Sequence, residues 1–310
     1  MKRTGIGNAH RGCTLAISWL TIETGCTATG TAGAQTRYES DSEATVESAR
    51  GSWNGAILNV LPSKGGIHIV GVRDKTNITL HAKFAVGADN KNDASEAFGE
   101  LASLLTVRKR EDGQWFVECP QTKSWHRSVD PATTGCANIR LEVPEGTTTF
   151  PLQLVASTSF GGIDVKDVIV DKLDLAAPFG LVAAVTPTKN AQIKLWGLEL
   201  ASGMCSTILR VPESSTIRQA TLTVEKPSVK YLDAPDEPRY WLGTYIEGFT
   251  DSPTIAPRTA TYTWQRGVDP FAAASIELHA SMGKTILTTA PVSPSALFHQ
   301  CEGLSFTVSP

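Results

Sequence analysis

The chain has 310 residues, a formal net charge of −3 and a pI near 6.1. This length can bury a sizeable core and allows about two domains. The weakly acidic net charge does not favour a nucleic-acid partner, and no apolar run is long enough for a transmembrane helix. Frequent Thr, Val, Gly and Ala in short, proline-bounded segments favour a mainly β protein.

The N-terminus has the features of an export signal. A basic start precedes a short apolar segment, residues 13–22, which is too short to span a bilayer. Two endings remain open: Cys26 becomes a lipidated first residue after a lipobox-like sequence, or cleavage follows Ala34. We therefore expect a leader at 1–34 and an exported protein, either a lipoprotein of the outer membrane or periplasm, or an extracellular protein.

The residues after the leader divide into three predicted parts. Residues 35–52 are rich in Thr, Ala, Ser and Glu and predict a flexible tether. Residues 53–212 carry most of the alternating strand patterns and predict one β domain. Residues 213–310 are rich in proline and predict a further β region, either separate or continuous with the first.

Two copies of a Gly-Gly-Ile motif begin strand patterns in the first of these β regions. Gly65-Gly66-Ile67 and Gly161-Gly162-Ile163 each precede apolar residues at alternate positions, which is the period of a half-buried strand. A short strand repeated with its turn indicates a stacked β architecture. Between the copies, residues 93–105 have helical spacing, and Asp93 is the expected N-cap.

The even number of cysteines after the leader favours export. Cys119, Cys136, Cys205 and Cys301 remain once the leader is removed, and four cysteines allow three pairings. We favour Cys119–Cys136, because it would close a loop between two predicted strands, and Cys205–Cys301 then follows. No pair of cysteines or histidines has the spacing of a zinc site.

The order of motifs over residues about 55–212 resembles that of a known family. A Gly-Ile strand, an acidic helix, an Asp112-Gly113 hairpin, the V-P-E-G turn Val143–Gly146 and a second Gly-rich strand follow one another. This order is similar to the bacterial putative-adhesin family. The resemblance implies a stacked, β-solenoid-like (toast-rack) array with one short helix, and it supplies no catalytic residues.

The sequence contains no catalytic motif of the hydrolase, zinc-protease or phosphate-loop classes. We therefore predict an exported, non-enzymatic structural or adhesion-type protein without a cofactor. The alternatives are a carbohydrate-binding module, or a carbohydrate-active enzyme that uses acidic turn residues as a carboxylate pair. The expected partner is a surface polysaccharide or an envelope protein, and contact with a membrane is expected only through a lipid anchor.

Two sets of residues are candidates for a binding site. Exposed aromatic side chains can contact sugar rings or a partner protein, and the candidates are Tyr240, Trp241 and Trp264. Acidic residues on stacked turns can converge on calcium, and the candidates are Asp164, Asp167 and Asp171. The competing interpretations are core aromatic residues and ordinary acidic turn residues.

Overall fold

The computed structural model describes residues 36–48, 57–63, 65–120, 128–159, 161–197, 204–225, 243–254, 259–266, 274–281, 283–291 and 301–302. Strands make up almost all of the regular structure, and one helix interrupts them, which confirms the prediction of a mainly β fold with one helix. No described helix is long and apolar enough to cross a membrane.

The strands have the following bounds: β1 (Thr36–Glu39), β2 (Ala44–Glu47), β3 (Ile57–Ser63), β4 (Gly66–Val72), β5 (Thr79–Ala88), β6 (Thr106–Lys109), β7 (Trp115–Glu118), β8 (Val129–Pro144), β9 (Leu152–Thr158), β10 (Ile163–Ala177), β11 (Leu181–Gly197), β12 (Met204–Cys205), β13 (Thr207–Arg210), β14 (Ile217–Val224), β15 (Gly243–Glu247), β16 (Thr261–Arg266), β17 (Ala274–Ala280), β18 (Lys284–Thr288) and β19 (Cys301–Glu302). Seventeen of them form one mixed sheet, and β12 and β19 form a separate antiparallel pair.

The helix α1 (Lys91–Leu104) begins two residues earlier than its spacing predicts. The side chain of Asn90 accepts hydrogen bonds from the backbone N–H groups of Asn92 and Asp93, both at 3.0 Å, so the N-cap is Asn90. An Asx side chain in extended backbone satisfies the free N–H groups of a first helical turn. Asp93 lies in that turn and accepts a hydrogen bond from the Asn90 amide at 2.8 Å.

The sheet contains two ladders of parallel strands. The first, which we call the His68 ladder, runs in the spatial order β8, β4, β10, β11, β13, β18 and β15. The second, the Trp196 ladder, runs in the order β7, β3, β9, β10, β11, β17 and β14, and β16 then pairs antiparallel with β14. The long strands β10 and β11 belong to both ladders, because their first halves lie in one and their second halves in the other.

The hydrophobic core consists of equivalent positions stacked from strand to strand. Each of the following side chains is at most 5 % exposed: Leu141, Ile69, Val165, Ala183, Leu209, Leu287 and Ile246 in the His68 ladder, and Leu58, Leu154, Leu173, Ile193, Ile276 and Ala220 in the Trp196 ladder. All of them belong to one apolar cluster. Parallel strands in register thus stack like residues over like residues, and burial of this apolar surface is the main stabilising term.

Two N-terminal strands occupy part of the segment 35–52 that was predicted as a tether. β1 and β2 pair antiparallel with β5, and Tyr38 and Val46 pack against the core. These contacts offset the entropy that ordering the two exposed strands costs. Residues 36–39 and 44–47 are therefore part of the sheet, which corrects the prediction of a flexible tether at these residues.

The disulfide Cys119–Cys136 is present, as the sequence predicts, and joins the end of β7 to β8. Disulfides persist in oxidising compartments, so this bond supports the expectation of an exported protein. In the β12–β19 pair, Cys205 lies directly opposite Cys301. Directly opposed residues of an antiparallel pair have Cα separations within the range of a disulfide, and a Cys205–Cys301 bond remains a prediction.

Candidate functional site

Of the three aromatic residues predicted as ligand contacts, Trp264 is the one that the described part of the chain includes. Tyr240 and Trp241 lie outside the described residues. Trp264 is only 8 % exposed and packs against Phe249 with ring centroids 5.0 Å apart. The antiparallel pairing of β16 places Trp264 beside Ala220 on the inner face of the sheet. Trp264 is therefore a core residue, and its prediction as a contact residue is wrong.

The aspartates predicted as calcium ligands face different neighbours. Asp164 lies 3.4 Å from the Nδ1 atom of His68, and Asp171 accepts a hydrogen bond from the hydroxyl of Thr188 at 2.8 Å. Asp167 has φ of 58° at the irregularity that separates the two halves of β10. Among the described residues, no group of three or more His, Cys, Asp or Glu side chains is placed to hold a metal ion. The three aspartates thus do not form the calcium site that their spacing suggested.

A network of charged side chains lies on the outward side of the His68 ladder. Glu142 accepts hydrogen bonds from Lys75, at 3.1 Å, and from Arg140, and the Nε2 atom of His81 lies 3.9 Å from the same carboxylate. The hydrogen bond from Lys75, followed by that from Arg140 and the positive charges of both, holds the pKa of Glu142 below its usual value against the effect of desolvation. This network joins β8 to the turn after β4.

The lowered pKa of Glu142 predicts the direction in which pH changes the stability. A carboxyl whose pKa is lower in the folded than in the unfolded chain stabilises the fold above its unfolded pKa, and the contribution is lost as the pH falls through the folded pKa. We expect the Glu142→Gln variant to lose less free energy of unfolding than the wild type between about pH 6 and about pH 3. Urea unfolding at both pH values measures this difference. Glu96→Gln, on the exposed side of α1, is the matched control, and equal losses in wild type and Glu142→Gln would contradict the prediction.

The outward side of the Trp196 ladder is a regular array of polar side chains. Its positions alternate with buried ones along every strand, so that they form rows across the sheet. Three rows follow from the register: Gln153, Lys172, Gln192, Ser275 and Gln219; Val155, Asp174, Lys194, Glu277, Thr221 and Thr263; and Ser157, Ala176, Trp196, His279, Thr223 and Thr261. We call this surface the Trp196 face.

The centre of the Trp196 face is an aromatic pair. The rings of Trp196 and His279 have centroids 4.8 Å apart at an interplanar angle of 33°. The Nε2 atom of His279 lies 3.0 Å from a carboxylate oxygen of Glu225, which fixes the orientation of the imidazole ring. Beside this pair, Lys194 and Glu277 form an ion pair at 3.4 Å with about half of each side chain exposed. The face therefore combines a half-buried indole ring with amide, ammonium and carboxylate groups and little unbalanced charge.

The comparisons with known proteins found structural matches only. No family model matches the chain, and no curated protein matches it. A putative cell adhesion protein from Clostridium sporogenes matches 79 % of this chain and 99 % of its own, with 14 % identity and a TM-score of 0.43. A putative adhesin from Bacteroides fragilis matches 80 % of this chain and 98 % of its own, with 10 % identity and a TM-score of 0.23.

The resemblance to adhesins that the sequence indicates is thus accompanied by two structural matches of that description, each over about four fifths of the chain. Their low identities and TM-scores do not establish a shared function.

The sequence contained a signal for the Trp196 face that the density of aromatic residues in the C-terminal region obscured. Gln192, Lys194 and Trp196 occupy alternate positions between the apolar residues Ile193 and Leu195. In a strand this spacing places the indole ring on the polar side of the sheet. An aromatic residue on the polar side of an amphipathic strand is a stronger indication of a binding surface than a cluster of aromatic residues.

Proposed function

We propose that the chain is an exported, non-enzymatic adhesion-type protein of the bacterial cell envelope that binds a polysaccharide on the Trp196 face. A lipidated Cys26 holds the protein at the envelope, or cleavage after Ala34 releases it. The observation that carries the proposal is the stacked Trp196–His279 pair set among rows of amide-bearing and charged side chains.

The proposal extends to the architecture of the sheet. We interpret the two parallel ladders as a stacked, solenoid-like array of the toast-rack type. Two observations support this: like residues stack in register in both ladders, and β10 and β11 pass from one ladder to the other. Such arrays present extended surfaces whose chemistry repeats from strand to strand. A polymer with a repeating unit fits a surface of this kind.

The chemistry of the Trp196 face favours a carbohydrate over a protein. An indole ring offers an apolar surface on which the C–H face of a sugar ring can stack, and neighbouring polar groups can hydrogen-bond to its hydroxyls. Protein interfaces, by contrast, have a core that is apolar and depleted in charge. The large apolar side chains that are most exposed in the described part of the chain, Leu104 and Phe150, lie outside these rows.

The balance of charge on the face favours a neutral or weakly charged polysaccharide. Lys194 is paired with Glu277, and the protonated form of His279 is paired with Glu225. The first of the three rows carries three glutamines, Gln153, Gln192 and Gln219. Their side-chain amides both donate and accept hydrogen bonds. A strongly acidic polymer would find no unpaired cationic cluster in these rows.

The test is binding to a panel of soluble polysaccharides that includes xylan, laminarin, dextran and oligomers of N-acetylglucosamine. We expect at least one member to bind, and we expect Trp196→Ala to weaken that binding about tenfold or more, because a stacked aromatic residue is a typical hot spot. Affinity electrophoresis and isothermal titration calorimetry measure the effect.

Leu104→Ala is the matched control, because it removes an exposed apolar side chain on α1 and leaves the Trp196 face unchanged. It should bind as the wild type does. Equal affinities of wild type and Trp196→Ala would contradict the assignment of the face. Failure of every member of the panel to bind would contradict a polysaccharide ligand.

A further inference from the structure

The last strand of the Trp196 ladder has an open edge. β16 pairs antiparallel with β14 on one side, and within the described part of the chain no strand pairs with its other side. An open edge presents unpaired backbone N–H and C=O groups to any strand that can reach them. This edge is independent of the polysaccharide proposal.

The register shows which backbone groups of β16 face outward from the edge. The N–H of Val224 donates to the carbonyl of Ala260 at 2.7 Å, and Thr223 lies opposite Thr261. Residues 224 and 260 are therefore a hydrogen-bonded pair, and such pairs alternate along an antiparallel ladder. The N–H groups of Thr261, Thr263 and Gln265 consequently point away from β14, towards the open side.

Three other edge strands of the same sheet are protected by charge. β1 and β2 carry Arg37, Glu39 and Glu47, and β6 carries Arg108 and Lys109. Charged residues on an edge strand disfavour pairing with another chain.

The β16 edge lacks this protection. Its sequence, Thr-Tyr-Thr-Trp-Gln-Arg, is rich in residues that favour strands. Its one charged residue, Arg266, is bound to Asp251 at 2.8 Å and is only 17 % exposed. No net charge on this edge therefore opposes the approach of an identical strand.

We propose that β16 pairs antiparallel with the β16 strand of a second copy of the chain, about a two-fold axis that passes between the two Thr263 residues. This register satisfies the outward N–H groups of Thr261, Thr263 and Gln265 in both copies. It places Thr263 beside the partner subunit's Thr263 and Tyr262 beside the partner subunit's Trp264. Threonine and aromatic pairs across two strands are favourable, and Arg266 lies opposite the partner subunit's Ala260, so that no like charges meet.

The inner side of the edge gives a second reason for a partner. Tyr262 is only half-buried although it points inward and packs against the core. The ends of stacked arrays expose the apolar interior unless another element covers them. A second copy covers Tyr262 and extends the sheet, so that the two Trp196 faces become parts of one longer surface.

The test is the mass of the exported protein in solution, measured by sedimentation equilibrium over a range of concentrations. We expect a monomer–dimer equilibrium in the wild type. Thr263→Pro removes an outward N–H without touching the hydrogen bonds to β14, and we expect it to raise the dissociation constant about tenfold to a hundredfold. Thr263→Ala keeps the N–H and should dimerise nearly as the wild type does.

Thr263→Lys provides a second variant if Thr263→Pro fails to fold, since a lysine at this position brings two like charges together across the two-fold axis. A wild type that remains monomeric throughout the concentration range would overturn the proposal. So would a folded Thr263→Pro or Thr263→Lys variant that dimerises as tightly as the wild type, because the contact would then lie elsewhere.

Cross-linking tests the register itself. Thr263→Cys places two cysteines directly opposite each other across the axis, at a separation that a disulfide can bridge. We expect an oxidised dimer on a non-reducing gel that reductant converts to monomer. Thr221→Cys, one strand further from the edge, is the matched control and should remain monomeric. Equal cross-linking of both variants would overturn this register.

Discussion

Replacing Gly161 by alanine is expected to lower the free energy of unfolding by about 3 kcal/mol or more. Gly161 has φ of 125°, a conformation that residues with a side chain rarely adopt, and an added Cβ atom would lie 2.5 Å from the carbonyl carbon of Gly65. The three atoms nearest to this added Cβ all belong to the backbone of Gly65 and Gly66, so the clash cannot be relieved by rotation of a side chain. The two Gly-Gly turns of the sequence thus lie against each other in the fold.

Gly99→Ala is the matched control for this change. Gly99 lies in α1, and an added Cβ atom would have no neighbour within 4 Å. Alanine there should stabilise the protein by up to about 1 kcal/mol, because glycine is a poor helix former. Urea unfolding followed by tryptophan fluorescence measures both variants. Similar urea midpoints for Gly161→Ala and the wild type would show that the turns do not approach each other as described.

Removing the Cys119–Cys136 disulfide is expected to lower the free energy of unfolding by about 3 kcal/mol, because the bond closes a short loop and restricts the unfolded chain. The two cysteines are separated by 17 positions, and Cys136 is fully buried. The double variant Cys119→Ala/Cys136→Ala should unfold at a lower urea concentration than the oxidised wild type. The reduced wild type should lose at least as much free energy of unfolding as the double variant does.

The same experiment tests the predicted Cys205–Cys301 bond. If only the Cys119–Cys136 bond exists, reductant has no further effect on the double variant. If Cys205 and Cys301 are also joined, reductant lowers its stability again, and the intact mass of the oxidised double variant rises by that of two hydrogens on reduction. Wild-type protein that unfolds at the same urea concentration with and without reductant would contradict a stabilising role for either bond.

Local patterns in the sequence predicted the elements whose cause is local. The alternation after Gly66 and Gly162 predicted β4 and the first half of β10, and helical spacing predicted α1. The V-P-E-G motif predicted a turn, and Gly146 there has φ of 85°. Each of these features depends on residues within a few positions of one another, which is the range over which a sequence pattern can be interpreted directly.

The arrangement of the strands was not predictable in the same way. The repeated Gly-Gly-Ile motif predicts only a short strand after Gly162, whereas β10 and β11 are each one long strand that crosses from one ladder to the other. Asp167, with φ of 58°, lies where β10 changes register. The neighbours of these strands are distant in the chain, so no local pattern specifies the pairing.

The candidate site shows the same limit. The density of aromatic residues around Trp264 predicts a contact residue, but the register of β16 turns its side chain inward, beside Ala220. Trp196 is the one aromatic residue of its strand, so no cluster of aromatic residues marks it in the sequence. Its neighbour His279 comes from β17 and is brought beside it only by the parallel pairing of β11 with β17. A binding surface assembled across strands becomes visible only when the register is known.

The parallel pairing of β4 with β10 has a consequence for the time the chain needs to fold. His68 and Asp164, which face each other across these strands, are 96 residues apart in the sequence. No turn can bring such strands together early, so a long loop must close before their contacts form. Chains dominated by pairings of this kind fold in about milliseconds to seconds, much more slowly than helical bundles. A newly made chain therefore stays unfolded for longer than a helical protein would, and the unfolded state is the one in which a polypeptide can be threaded through a narrow pore.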